Sequence, residues 1–97
     1  MDGMILISTS WAEVLFDTGA THSFISEDFL NILRLETNSL ERHLFLHTPI
    51  GEARATLSCH SQVTSGNGEQ LDVNLIVLPM TLYDVILGMD WLSKYRV

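Results

Sequence analysis

Apolar residues along the chain fall in short runs and alternations, which is a strand pattern and not a helical one. A first apolar run covers 3–8 and a second covers 12–16, with Thr9, Ser10 and Trp11 as the connection of a hairpin. Ser26 followed by Glu27 and Asp28 reads as a helix N-cap with an acidic first turn. Phe29, Leu30 and Leu33 then supply the apolar stripe of a short helix over 27–34. Beyond the polar stretch 36–42, a strand is expected over 43–48. Pro49-Ile50-Gly51 has the chemistry of a three-residue hairpin: proline presets one corner and glycine can take the left-handed position. Alternation resumes through Ala53, Ala55, Leu57 and Cys59. Asn67-Gly68 is a hairpin signal, followed by a strand over 70–78 that Pro79 ends. Tyr83-Asp84 marks a further turn, and Val85-Ile86-Leu87 a brief buried strand halted by Gly88. Asp90 is placed to cap a last helix over 91–96. The pattern predicts a mainly β, single domain over 1–97, with six or seven strands and two short helices.

Composition narrows the function classes. A chain of 97 residues buries roughly 60–65% of its unfolded surface, enough for one core. It is 46% hydrophobic and only 18% charged, which excludes a disordered chain. Mean hydropathy is +0.22, high for a small domain and consistent with apolar surface that meets a partner. Twelve acidic against five basic residues give a net charge of −7, which argues against nucleic-acid and anionic-membrane partners. The one cysteine, Cys59, cannot form an internal disulfide, so a reducing, cytoplasmic setting is expected. No stretch reaches the length of a membrane span, and residues 4–7 are too short for a signal-peptide core.

The informative segment is Val14-Leu15-Phe16-Asp17-Thr18-Gly19-Ala20. A carboxylate after three apolar residues is costly unless it is hydrogen-bonded or paired. Asp-Thr-Gly alone also reads as an ordinary strand-ending turn, and arises by chance in roughly one chain in fifty of this length. Its surroundings carry more. VLFDTGATHSFIS early and YDVILGMDWLSKY late, with a Pro-Gly hairpin and a β-rich stretch between them, resemble the retropepsin-like aspartic proteases. The resemblance is greatest to the protease of gypsy-type LTR retrotransposons, and it spans nearly the whole chain.

That resemblance implies a closed, barrel-like acid-protease lobe that is half of an enzyme. Two chains would face each other as a homodimer, each giving one Asp-Thr-Gly loop. Asp17 would be the catalytic carboxylate, sharing one proton with its counterpart. Thr18 would interlock across the dimer axis, and Gly19 would let the backbone approach the substrate. Ala20, Ile86, Leu87 and Gly88 would support the loop, while Pro49, Ile50 and Gly51 would form a flap over the substrate. The activity implied is hydrolysis of peptide bonds during polyprotein maturation, in the cytoplasm or within virus-like particles, with no cofactor and no metal.

Departures from the family pattern bear on specificity. Retroviral members carry an acid after Asp-Thr-Gly-Ala and an arginine after the second glycine, where this chain has Thr21 and Met89. Both charges are absent together, so neither is stranded, and Thr21 alters the cleft edge. The terminal strands through which retroviral proteases dimerise are not evident, so weak self-association is expected. Two other readings stay open: a non-catalytic lobe that dimerises or binds peptide, and the protease-like domain of the DNA-damage-inducible ubiquitin-shuttle protein, whose Leu-Gly-x-Asp segment is similar. Elsewhere the residues read blandly. His43 and His47 share a strand face without a second ligand pair, Cys59 is a core residue, and Asp84 and Asp90 serve a turn and a cap.

Overall fold

The computed structural model describes residues 2–48 and 51–96. In chain order the elements are β1 (Asp2–Ile7), β2 (Ser10–Phe16), β3 (Phe24–Ser26), α1 (Glu27–Leu33), β4 (Asn38–Thr48), β5 (Gly51–Thr64), β6 (Gln70–Leu78), β7 (Val85–Leu87) and α2 (Met89–Tyr95). The strands form one sheet in the order β1-β2-β7-β3-β6-β5-β4, and a β1–β5 pairing at Ile7↔Val63 curls it toward closure. The fold is mainly β with a short C-terminal helix, as the alternation predicts.

Local chemistry accounts for most boundaries. The first hairpin pairs Ile7 with Ser10, so its turn is Ser8-Thr9, with Ser8 at φ 52°. Ser10 and Trp11 therefore belong to β2 and not to the connection. Period-two alternation sends Ala12 and Val14 into the core while Trp11 stays exposed. The β5–β6 turn is set by Gly68 at φ 82° and by two backbone bonds, Gly68 N–H to Ser65 O at 2.9 Å and Ser65 N–H to Glu69 O at 2.8 Å. Ser26 caps α1, its hydroxyl accepting from Phe29 N–H at 3.0 Å, and the helix ends with Arg34 in the left-handed region.

Two strands depart from the sequence reading. β4 starts at Asn38, well before residue 43, and is irregular between Ser39 and Leu44. As an edge strand with one neighbour, it tolerates the polar residues that otherwise read as a loop. β3 was not expected at all. Phe24, Ile25 and Ser26 are held by their neighbours, parallel to β6 and antiparallel to β7, and three residues carry no period of their own.

The interior divides into two clusters. One joins Ile7, Val14, Ile25, Phe29, Leu75, Leu87 and Trp91 beneath both helices. The other joins Ala20, Phe24, Ala55, Ile76, Leu78, Met80 and Ile86, with Leu44, Leu46 and Ala53 of the β4–β5 hairpin against it. β3, β6 and β7 lie between the two, which is why Ile76-Val77-Leu78 and Val85-Ile86-Leu87 are buried on both faces. Cys59 belongs to the first cluster, and burial pushes its thiol from the ordinary 9.0 up to about 11.

Ser26→Ala should destabilise the domain by about 1 kcal/mol through the lost cap, read from denaturant midpoints. Between pH 9 and 11 the unfolded chain loses the Cys59 proton while the folded chain keeps it. Stability should therefore fall as pH rises through that window, and Cys59→Ala should flatten this part of the profile.

Candidate active site

Asp17 follows directly on β2, whose last residues run parallel to β7 in the register Val14↔Val85, Leu15↔Ile86 and Phe16↔Leu87. Asp17 N–H donates to Leu87 O at 2.9 Å, as the final rung of that pairing. The chain then turns sharply, with Ala20 N–H reaching back to Asp17 O at 3.2 Å. Within the turn, Gly19 N–H donates to Asp17 Oδ1 at 2.9 Å. A Cβ on Gly19 would stand 3.2 Å from that same oxygen, closer than a side chain sits comfortably. Asp17 is half-buried, Thr18 and Gly19 are exposed, and Ala20 is buried. The loop thus offers a carboxylate at the surface with one oxygen already oriented by the backbone.

The segment after β7 holds the loop from behind. A Cβ on Gly88 would lie 2.2 Å from His22 O and 2.8 Å from Ala20 O, so only glycine permits this crossing. Met89 N–H donates to Ala20 O at 2.7 Å. Ile86 and Leu87 are fully buried, Ile86 in the same cluster as Ala20 and Leu87 in the other. Ala20, Ile86, Leu87 and Gly88 are therefore gathered around Asp17.

Two side chains complete the crossing: Ser23, which the sequence does not single out, and Asp90, which it assigns to a cap. Ser23 is fully buried; its hydroxyl accepts from Gly88 N–H at 3.0 Å and donates to Asp90 Oδ1 at 2.7 Å. Asp90 does not cap α2, whose N-cap is Gly88 without a side-chain bond. The carboxylate accepts from Ser23 instead, which among the described residues has no other acceptor for its hydroxyl proton. The one available signal was a small hydroxyl directly before the buried pair Phe24-Ile25. Asp84 likewise exceeds a turn residue: Glu13 N–H donates to Asp84 Oδ2 at 2.8 Å, and Asp84 N–H donates to Glu13 O at 2.9 Å.

The remaining candidates are spread around this centre. Thr21 is exposed, with its hydroxyl 2.9 Å from His22 Nδ1. Gly51 opens β5 at φ 113° and pairs with Thr48. Pro49 and Ile50, the expected flap tip, lie outside the described residues. His43 accepts from Arg54 Nε at 3.1 Å, while His47 stands 3.4 Å from Glu52. Among the described residues no three His, Cys, Asp or Glu side chains cluster as metal ligands.

Comparison with known proteins agrees with this geometry. A family model described as retroviral aspartyl protease matches residues 1–97. No curated protein matches. Among solved structures, EIAV protease in complex with an inhibitor superposes with a TM-score of 0.79 at 20% identity, covering 100% of this chain and 88% of that one. The solution structure of Simian Foamy Virus (mac) protease gives 0.59 at 16% identity, covering 99% and 96%. At such identities the likeness is one of fold, the retropepsin-like lobe.

Gly88→Ala should cost more than about 3 kcal/mol, since the new methyl meets backbone that cannot swing aside. Gly66→Ala, where a Cβ meets nothing within 4 Å, should stay within about 0.5 kcal/mol. Chemical denaturation of the pair against wild type checks both.

Proposed function

Because the chain belongs to the retroviral aspartyl protease family, we propose that it is an aspartic endopeptidase lobe, active when two copies each present one Asp17. The observation that supports this reading is the Asp17 loop itself: a surface carboxylate, one oxygen held by Gly19 N–H, on a backbone locked to Leu87 and Met89. A single carboxylate cannot both take a proton from water and donate one to a carbonyl. Two of them, a few ångströms apart, share one proton and divide those tasks. The ionised partner deprotonates a bound water, the protonated one polarises the scissile carbonyl, and the proton later moves to the leaving amine.

Thr18, exposed beside Asp17, bridges the two loops through its hydroxyl, and Gly19 leaves room for substrate backbone. The β4–β5 hairpin, with Leu44, Leu46 and Ala53 facing the cluster that holds Ala20 and Ile86, closes over an extended peptide and excludes water. The substrate is a polyprotein, and the setting is maturation of a gypsy-type retrotransposon product in the cytoplasm. Thr21 and Met89 replace a charged pair at the cleft edge with uncharged groups, so retroviral cleavage-site preferences do not carry over.

Asp17→Asn should abolish cleavage of an extended peptide panel while leaving the circular-dichroism spectrum and midpoint of unfolding near wild type, because an amide cannot exchange the proton. Statine-type inhibitors should block the wild-type protein. Retained cleavage in the asparagine variant would remove the aspartic mechanism. Specific activity should also rise with protein concentration until dimer saturates. Sedimentation measured in parallel checks this, and full activity from a proven monomer would contradict the shared site.

A further inference from the structure

We propose that Asp90 is a positioning residue that, through Ser23, holds the Asp17 loop in register with β7 and α2; this rests on the proteolytic reading above. Ser23 has one hydroxyl proton. Donated to Asp90 Oδ1 at 2.7 Å, it leaves only oxygen lone pairs to face Gly88, whose N–H they accept at 3.0 Å. A carboxylate accepts and does not donate, so the direction of the relay is set from the Asp90 end. Without Asp90, the Ser23 proton is free to rotate toward Gly88 N–H, where it repels and cannot bond.

What the relay holds is the crossing beneath the reacting carboxylate. Gly88 lies against the Ala20 and His22 carbonyls with no room for a Cβ. The residues on either side of it, Leu87 and Met89, bond Asp17 N–H and Ala20 O. A shift of Gly88 by a fraction of an ångström is therefore passed to both ends of the Asp17 turn. Asp90 itself is exposed, so its replacement leaves the core intact. Ser23 is fully buried, and its variants are the less dependable probe.

Native-state hydrogen exchange on the full chain, combined with peptide cleavage kinetics, tests the assignment. Asp90→Ala should speed exchange tenfold or more at the Asp17, Gly88 and Met89 amides while the β5–β6 amides keep their wild-type rates. Its kcat should fall about ten- to a hundredfold with KM little changed. Asp90→Asn, which keeps an Oδ1 acceptor, should restore both. Unchanged exchange in Asp90→Ala would overturn the proposal, as would uniform acceleration across the sheet, which marks a general stability contribution. An asparagine variant as impaired as the alanine one would also overturn it, because charge and not the hydrogen bond would then be at work. If the wild-type protein cleaves nothing, the proteolytic reading fails, and the exchange pattern still decides whether Asp90 holds the loop.

Discussion

The structure depends on one close approach, the backbone of Gly88 lying against the carbonyls of Ala20 and His22. A methyl group there would sit 2.2 Å from His22 O. Because nothing larger than hydrogen fits, β7 can pass directly behind the Asp17 loop and bond it on both sides. Leu87 O takes the Asp17 N–H, and Met89 N–H reaches Ala20 O. Without that contact β7 would stand off, the parallel pairing with β2 would lose its last rung, and the carboxylate would sit on an ordinary mobile turn.

The two hydrophobic clusters follow from the same arrangement. A short strand inserted between β2 and β3 must be apolar on both faces, and Val85-Ile86-Leu87 meets that need. Leu87 joins the cluster beneath the helices, while Ile86 joins the cluster beneath the β4–β5 hairpin. The loop rests on rigid packing below and faces an apolar surface beside it. A carboxylate so placed has its backbone fixed by the core and one oxygen oriented by Gly19 N–H, as a positioned functional group requires. Thr21 and Met89 place no charged pair next to this loop.

How much was legible in the sequence depended on how local the cause was. The Ser26 cap, the Gly68 turn, the span of β6 and the brief strand β7 are written in neighbouring residues, and the structure places them as expected. The Asp-Thr-Gly loop and the Ile-Leu-Gly segment were legible as motifs, and their meeting was implied by family resemblance and not by any period. β3 could not be read, since three residues have no periodicity and their partners lie far along the chain. The sequence shows only the second half of β4, because an edge strand accepts polar residues that elsewhere signal a loop. Asp90 reads as a cap because its position favours that role. A buried hydroxyl contributed by a distant segment outcompetes the helix end, and no local pattern announces it.

Every bond that holds the Asp17 turn from behind joins distant parts of the chain: Ser23 and Gly88 are 65 residues apart, and Ser23 and Asp90 are 67 apart. Contacts of such separation form late, since the entropy of closing the intervening loop must be met before they contribute. The carboxylate loop is thus held from behind only once these distant segments have met. A chain cut short before Gly88 would carry Asp17 without the contacts that hold its turn from behind. The support of the Asp17 turn is thus completed by the far end of the domain and not by its sequence neighbours.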